Sequence, residues 1–332
     1  MLEIPMPETK IASLASYVPE TVVENAYFET RYKLKPGTIL KKTGLRSRRY
    51  AQPDEYPTSM GLLAARKAIN NAELDAEAID LLISAGTSRD QSIPPDAMIY
   101  AHKLGIPDVQ CIHVEAVCLS FLNAMEIADF YISSGKKQAV LLISAEKTSK
   151  VINYDDPSSS ILLGDGAAAV VLCPGEGNSK ILASSFKTEA LGKNIEVAHL
   201  KAGGLKNHPF DDHFRDEMTK FTVNGPLEFK LAVKYIPDFL KSLLEDAGHG
   251  IEAFDHVIPH QVVPKMIKSI LGRIGLPSDQ LRINSEYGNM AAASIPVVMA
   301  GLIESGRMVR GQKILLFGGA AGFSLGGVAL VY

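Results

Sequence analysis

The chain has 332 residues, of which 46% are hydrophobic, so it can bury a large core and form about two domains. Its formal net charge of −3 gives no general electrostatic basis for binding nucleic acid. Three scattered cysteines do not make a disulfide framework or match a zinc site. No apolar run approaches the roughly 18 residues of a membrane span, and the first 20 residues lack a signal-peptide pattern. We therefore expect a soluble cytoplasmic protein without membrane insertion.

Short aliphatic runs alternate with helical patterns along the chain. The runs predict strands that are covered on both faces, at 81–84, 139–143, 168–172, 257–258, 314–317 and 328–331. The helical patterns lie at 59–71, 121–133, 227–247, 264–274 and 291–305. This alternation predicts an α/β protein built in layers.

The two halves of the chain resemble each other. From the predicted strand residue Ile83 to Cys118 is 35 positions, and from Ile258 to Asn289 is 31. Both Cys118 and Asn289 precede helices rich in small residues, which we expect to lie buried against each other. We interpret the match as duplication of one βα unit. The predicted halves are residues 1–174 and 175–332, separated by a Gly-rich boundary at 175–179.

Cys118, His260 and Asn289 are the candidate catalytic residues. Cys118 lies where a strand-like run meets the first turn of a helix, whose dipole favours a thiolate. His260 lies at a strand end, where polar side chains open into the ligand crevice of an α/β sheet. Taken singly, the three residues can also be read as buried packing, a structural histidine and a helix N-cap. If they converge, the chain is an acyl-transferring enzyme.

Two glycine-rich stretches, 164–168 and 318–327, do not predict a phosphate site. Both run into predicted strands, whereas a phosphate cradle uses the N-terminus of a helix. We therefore do not expect a nucleotide-binding protein.

An ordered set of short motifs extends over nearly the whole chain. It comprises the segments 42–48, 59–61, 114–125, 163–168, 259–261 and 287–294, and the C-terminal Gly-rich strand pair. This set resembles the condensing enzymes of the thiolase superfamily, and most closely the β-ketoacyl-acyl-carrier-protein synthase III family. The resemblance implies a thiolase-like α/β fold, in which two duplicated βαβ-type halves form α-β-α-β-α layers.

The resemblance also implies a mechanism for fatty acid or polyketide synthesis. Cys118 attacks an acyl thioester, and backbone N–H groups of Cys118 and Ala321 hold the oxyanion. A malonyl-type thioester then loses carbon dioxide, and His260 and Asn289 donate hydrogen bonds to the enolate. Attack of the carbanion on the acyl-cysteine gives a β-keto product. No metal or organic cofactor is implied.

The family resemblance further implies partners. The expected assembly is a homodimer, with Ile93 beside the neighbouring subunit's acyl pocket and Leu163 also in an acyl pocket. Lys265 and Arg273 lie on one predicted helix and are expected to meet an acidic acyl carrier protein. Thr38 replaces the tryptophan that stacks on coenzyme A adenine in the family. This replacement favours carrier-protein thioesters over acyl-coenzyme A as donors.

Two residues near the nucleophile depart from the family pattern. Ser120 stands two positions after Cys118, where the family has glycine. Glu115 stands three positions before Cys118, where the family has a small apolar residue. Its carboxylate is interpreted either as one half of a salt bridge or as a base near the site.

Three other functions remain to be separated from condensation. A related acyltransferase would pass the acyl group from Cys118 to an alcohol or amine without forming a carbon–carbon bond. A papain-like cysteine hydrolase has Cys, His and Asn in the same order, but its Cys-Gly-x-Cys-aromatic signature is absent from this sequence. A non-catalytic subunit of a condensing heterodimer would be expected to lose the nucleophile, which this chain retains.

Overall fold

The computed structural model describes residues 7–175 and 179–332. The strands are β1 (Glu8–Tyr17), β2 (Thr21–Glu24), β3 (Ser47–Tyr50), β4 (Leu81–Ala85), β5 (Gln110–Val114), β6 (Val140–Lys147), β7 (Asp165–Gly175), β8 (Lys180–Thr188), β9 (Ala198–His199), β10 (Thr222–Val223), β11 (His256–Pro259), β12 (Lys313–Ala320) and β13 (Ser324–Val331). The α-helices are α1 (Asn25–Arg31), α2 (Thr38–Thr43), α3 (Pro57–Asn71), α4 (Asp96–Leu104), α5 (Ser120–Ser133), α6 (Pro157–Ser160), α7 (Gly225–Asp246), α8 (Pro264–Arg273) and α9 (Ser294–Glu304). No helix in the described part of the chain is long and apolar enough to cross a membrane.

Two larger sheets repeat one strand order. The first runs β1-β7-β6-β4-β5, with β4 parallel to β5 and β6 and with β7 antiparallel to β6 and β1. The second runs β8-β13-β12-β11, with β11 parallel to β12 and with β13 antiparallel to β12 and β8. Apart from the extra edge strand β5, order and direction agree. The sheets therefore have the form expected from a duplicated unit.

The helices α5 and α9 lie between the two sheets. Their side chains Met125 and Met299 are fully buried and share one core with Leu142 of the first sheet and Leu316 of the second. Helices α3 and α4 pack on the outer face of the first sheet, and α7 and α8 pack on the outer face of the second. The predicted α-β-α-β-α arrangement is confirmed.

The predicted strands and helices all coincide with observed elements. The unpredicted elements are the strands β1, β2, β3, β5, β8, β9 and β10 and the helices α1, α2, α4 and α6. Strand β12 extends beyond the predicted 314–317, because residues through Ala320 pair with β13. Strand β7 extends through Gly175, the first residue of the predicted boundary. Residues 176–178 of the predicted boundary lie outside the described residues, so the division into two halves at this point stays a prediction.

Candidate active site

Cys118 lies in a strained turn between β5 and α5. The turn is the short 3₁₀-helix Val117–Leu119, and Val117 has φ of +52°, a conformation that β-branched residues rarely adopt. The buried Ser120 side chain closes the turn. Its Oγ accepts a hydrogen bond from the N–H of Ala116 at 2.8 Å and donates one to the carbonyl oxygen of Val117 at 2.7 Å. Ser120 thereby fixes the backbone around Cys118.

The environment of Cys118 favours the thiol. Burial raises its pKa to about 12, and the negative charges of Glu146 and Glu228 act in the same direction. The backbone N–H groups of Cys118 and Ala321 face the sulfur and oppose that rise without overcoming it. The prediction of a thiolate favoured by the helix dipole is therefore wrong for the protein without substrate. Desolvation of Sγ is the largest cause of the raised pKa.

His260 follows the last residue of β11 and is 4% exposed. Its backbone N–H donates to the carbonyl oxygen of Phe317 at 2.8 Å, which fixes it against β12. Neither ring nitrogen has a hydrogen-bond partner within the described residues. Burial lowers the pKa of His260 to about 4, so the imidazole is neutral at physiological pH and keeps one N–H to donate.

Two glycines permit the close packing around this site. A Cβ built on Gly318 of β12 would lie 2.6 Å from Cβ of His260, so a side chain there would displace the imidazole. A Cβ on Gly164 would collide with the carbonyl oxygen of Tyr287, in the loop that leads to Asn289. The glycine-rich stretches noted in the sequence therefore allow close backbone approach.

Asn289 is held by main-chain pairing with the segment before β7. Its N–H donates to the carbonyl oxygen of Leu162 at 2.7 Å, and its carbonyl oxygen accepts from the N–H of Gly164 at 2.9 Å. The side-chain Oδ1 accepts from the N–H of Ala291 at 2.9 Å. Because Oδ1 is occupied in this way, the Nδ2 amide group is the part of the side chain left to donate.

A narrow cavity opens beside His260, and neither Cys118 nor Asn289 is among the residues that line it. It holds about 70 Å³ and is lined by His260, by the stretch from Phe317 to Ala321, and by the first turns of α7 and the face of α8. Ala321, whose N–H faces the thiol of Cys118, forms part of the wall. The imidazole of His260 and the N–H of Ala321 therefore share one cavity wall, and that N–H faces the thiol of Cys118.

Comparisons with known proteins agree with this geometry. The family described as 3-oxoacyl-(acyl-carrier-protein) synthase III matches residues 112–190, and its C-terminal part matches residues 244–332. The chain is 32% identical over 326 residues to β-ketoacyl-(acyl-carrier-protein) synthase III of Clostridium acetobutylicum, covering 98% of this chain and 99% of that protein. The chain belongs to the β-ketoacyl-acyl-carrier-protein synthase III family. It is an acyltransferase that condenses acyl thioesters in fatty acid or polyketide synthesis.

Solved structures agree with this family assignment and with the thiolase-like fold. The synthase III of Aquifex aeolicus has a TM-score of 0.88 and 33% identity, covering 98% of this chain and 100% of that one. The priming β-ketosynthase of the R1128 polyketide pathway has a TM-score of 0.89 and 28% identity, covering 99% and 98%. Membership of the synthase III family also removes the papain-like hydrolase from the alternatives.

The remaining predicted site residues of this synthase III family member lie apart from the cavity. Leu163 is 5% exposed and bridges to Asn289, and Ile93 is 85% exposed, but neither lines the cavity. Lys265 and Arg273 are exposed on α8. The Lys265 ammonium donates to the carbonyl oxygen of Lys41. The pocket and docking roles of these residues stay predictions.

Glu115 forms an ion pair at the surface. Its carboxylate lies 3.2 Å from the guanidinium of Arg89, and the two side chains are 44% and 37% exposed. The salt-bridge interpretation of this departure from the family pattern is confirmed. The described residues also contain no group of three or more His, Cys, Asp or Glu side chains that could hold a metal ion.

Glu228 is a site residue that the sequence analysis missed. It lies in the first turn of α7 and lines the cavity with His260. Burial raises its pKa to about 7. The sequence carried one signal, because Glu228 precedes Ala232 by four positions and Ile236 by eight, which puts a carboxyl on the apolar face of the helix.

Proposed function

We propose that Cys118 carries the acyl group, and that His260 and Asn289 then promote decarboxylative condensation with a malonyl-type thioester. One observation carries the proposal. A neutral imidazole and the amide of Ala321 face a single narrow cavity beside the thiol of Cys118. Acyl transfer needs a nucleophile with oxyanion donors, and enolate formation needs uncharged donors at a second oxygen.

The acylation step uses the strained turn. As Sγ of Cys118 attacks the thioester carbon, the carbonyl oxygen gains negative charge and accepts hydrogen bonds from the N–H groups of Cys118 and Ala321. These groups are fixed before the reaction, so they stabilise the charge without reorganisation. The thiol of the donor then leaves, and an acyl-cysteine remains.

The condensation step uses the second half of the chain. Loss of carbon dioxide from the malonyl group leaves an enolate, whose oxygen accepts hydrogen bonds from the ring N–H of His260 and from Nδ2 of Asn289. The low pKa of His260 keeps the ring neutral, so it does not form an ion pair with the malonyl carboxylate that must leave. The α-carbon then attacks the acyl-cysteine, which releases the thiol of Cys118 and gives the β-keto thioester.

We infer that acyl carrier protein delivers at least one of the two thioesters, as the names of the relatives indicate for those proteins. The exposed cations Lys265, Lys268 and Arg273 on α8 support docking of an acidic partner beside the cavity wall. We further infer a cytoplasmic homodimer, because an isoleucine that is 85% exposed at Ile93 is explained by contact with a second copy.

The test follows both half-reactions on the intact protein. Acyl-carrier and acyl-coenzyme A donors are offered in turn, and mass spectrometry is expected to find one acyl group on Cys118. Malonyl-carrier protein is then added, and release of carbon dioxide is measured together with formation of the β-keto product. In His260→Ala and Asn289→Ala we expect acylation to persist while decarboxylation falls by about 10²-fold or more.

Two results would contradict the proposal. Acyl transfer from Cys118 to an alcohol or amine without release of carbon dioxide would establish the acyltransferase alternative. Equal loss of both half-reactions in the His260 and Asn289 variants would remove their assignment to the enolate.

A further inference from the structure

Glu228 is an unpaired carboxyl in an otherwise apolar part of the cavity wall. Its neighbours in that wall include Val197, Ala232, Ile236 and Met266. Within residues 7–175 and 179–332 the carboxyl makes no hydrogen bond and no ion pair, and burial is the cause of its raised pKa. The side chain is half-buried, and a carboxylate among apolar neighbours costs free energy, so apolar packing does not explain it.

The charges on neighbouring elements are engaged elsewhere or face solvent. Ionisable groups lie on each element around Glu228. Helix α7 itself carries Lys230 and Lys234, β8 carries Lys180 and Lys187, and α8 carries Lys265, Lys268 and Arg273. Glu196 and His199 flank the wall at 197–198, and His260 lies in the wall. Lys180 and Lys187 pair with Glu8 and Glu189. Strand β13, which also packs on α7, has no ionisable side chain. None of these groups neutralises Glu228 in the described structure.

The charge of Glu228 acts on the thiol of Cys118. The negative charge of Glu228 raises the pKa of the Cys118 thiol, as does that of Glu146. The two carboxyls differ in their bonding. Glu146 is fully buried and accepts hydrogen bonds from the backbone of Thr87 and Ser88 at 3.0 and 2.9 Å. Glu228 lines the cavity together with Ala321, whose N–H faces the sulfur of Cys118.

We propose that the Glu228 carboxylate accepts the proton of Cys118 during acylation and returns it to the departing thiol. The S–H bond of Cys118 breaks as the proton passes to a carboxylate oxygen, directly or through one water, while Sγ bonds to the thioester carbon. When the tetrahedral intermediate collapses, the carbon–sulfur bond to the donor breaks and Glu228 protonates the leaving thiolate. Protons and electrons balance, and the carboxylate is regenerated.

This role gives His260 and Glu228, the two titratable groups of the cavity wall, different tasks. His260, with a pKa of about 4, is a poor proton acceptor at neutral pH and a good neutral donor for the enolate. Glu228, with a pKa of about 7, has the value that suits a base near physiological pH. The proposal rests on the proposed function, because it concerns the acylation of Cys118.

Two reactions of Cys118 give opposite expectations for Glu228→Gln. Single-turnover acylation by an acyl thioester is expected to slow by about 10²-fold and to lose its pH inflection near neutrality, because the proton acceptor is gone. Alkylation by iodoacetamide below pH 9 is expected to become several-fold faster. Removing the negative charge lowers the pKa of Cys118, and alkylation follows the equilibrium fraction of thiolate.

Matched variants complete the design. Glu228→Asp keeps a carboxylate and is expected to retain the inflection, and Glu245→Gln makes the same change on the exposed end of α7 and should alter neither rate. If Glu228→Gln speeds both reactions, or slows both equally, the proposal is overturned in favour of an electrostatic or packing role. Unchanged acylation in Glu228→Gln overturns this proposal alone. Absence of acylation in the unmodified protein overturns the proposed function and this proposal together.

Discussion

The turns that open the two central helices have the same backbone. Val117 and Ala291 have positive φ values of +52° and +41°, and each begins a short 3₁₀-helix. Ser120 and Ser294 then accept hydrogen bonds from the N–H groups four residues earlier, at 2.8 and 3.0 Å. Each central helix is therefore entered through the same strained turn, which a serine hydroxyl closes.

The side chains on these turns differ. Ala292 of the second turn corresponds to Cys118 of the first. Glu115 before the first turn corresponds to Asn289 before the second. Asn289 is bound to the neighbouring backbone, while Glu115 pairs with Arg89 at the surface. The comparison teaches that duplication supplied two equal scaffolds, and that single side chains divide the chemistry between them.

The largest expected effect comes from Cys118→Ala, which makes the first turn resemble the second. We expect the acyl adduct to disappear and condensation to fall by about 10³-fold or more. The fold should persist, because Ala292 occupies the same backbone in the second half. Intact-protein mass spectrometry and circular dichroism measure the two outcomes.

Moving the thiol tests whether the turn alone creates the nucleophile. Combining Cys118→Ala with Ala292→Cys puts a cysteine on the second turn, away from the N–H of Ala321 that faces Cys118. We expect no acylation of this variant. An acyl group found at position 292 would mean that the strained turn is sufficient without the cavity.

The matching strands β4 and β11 are followed by different residues, and only the one after β11 can titrate. Gly86 follows β4, whereas His260 follows β11. The pKa of His260 falls to about 4 in the folded protein, from 6.5 when unfolded, so the unfolded state binds more protons between these values. Stability should therefore fall as pH decreases through this range, by up to about 3 kcal/mol from this residue.

Chemical denaturation of the protein and of His260→Asn between pH 7 and pH 4 measures that contribution. The difference in unfolding free energy between the two proteins should shrink or change sign as the pH falls. A difference that stays constant over this range would mean that the pKa of His260 is not lowered by folding.

Substitution of the two turn serines, Ser120 and Ser294, should affect different half-reactions. Ser120→Ala leaves the N–H of Ala116 without its acceptor, and Ser294→Ala does the same to Met290, at a cost of about 1–2 kcal/mol each. We expect the first variant to slow acylation by about tenfold and the second to slow decarboxylation instead. If both variants impair both steps equally, the two turns act as one unit.

Most of the fold was predictable because buried strands and helices carry periodic apolar patterns. The strands that were not predicted have less regular apolar patterns. β5 ends in Cys111-Ile112-His113-Val114 and is only partly buried, and β1 and β8 mix polar with apolar residues. The equivalence of the two turns was also out of reach, because positive φ at Val117 and Ala291 leaves no mark on residue type.

The candidate trio Cys118, His260 and Asn289 followed from motifs, but the electrostatics around these residues did not. The thiolate expected at Cys118 followed from a helix start, which is local, whereas its raised pKa comes from burial and from Glu146 and Glu228, which are distant in sequence. Glu228 itself was hidden because a carboxyl in a helical pattern is usually on the solvated face. Its burial depends on how α7 packs against the second sheet.

The smallest expected effect is that of Glu115→Gln, at the position that matches Asn289. The ion pair with Arg89 is exposed on both sides, so its loss should change stability by less than about 1 kcal/mol. Acylation and decarboxylation rates should stay within about twofold, because the carboxylate faces Arg89 and is not part of the cavity wall. Arg89→Gln is the matched control and should behave in the same way. A large loss of rate in Glu115→Gln alone would give this turn a base of its own, and the chemistry would then be shared between the halves in a different way.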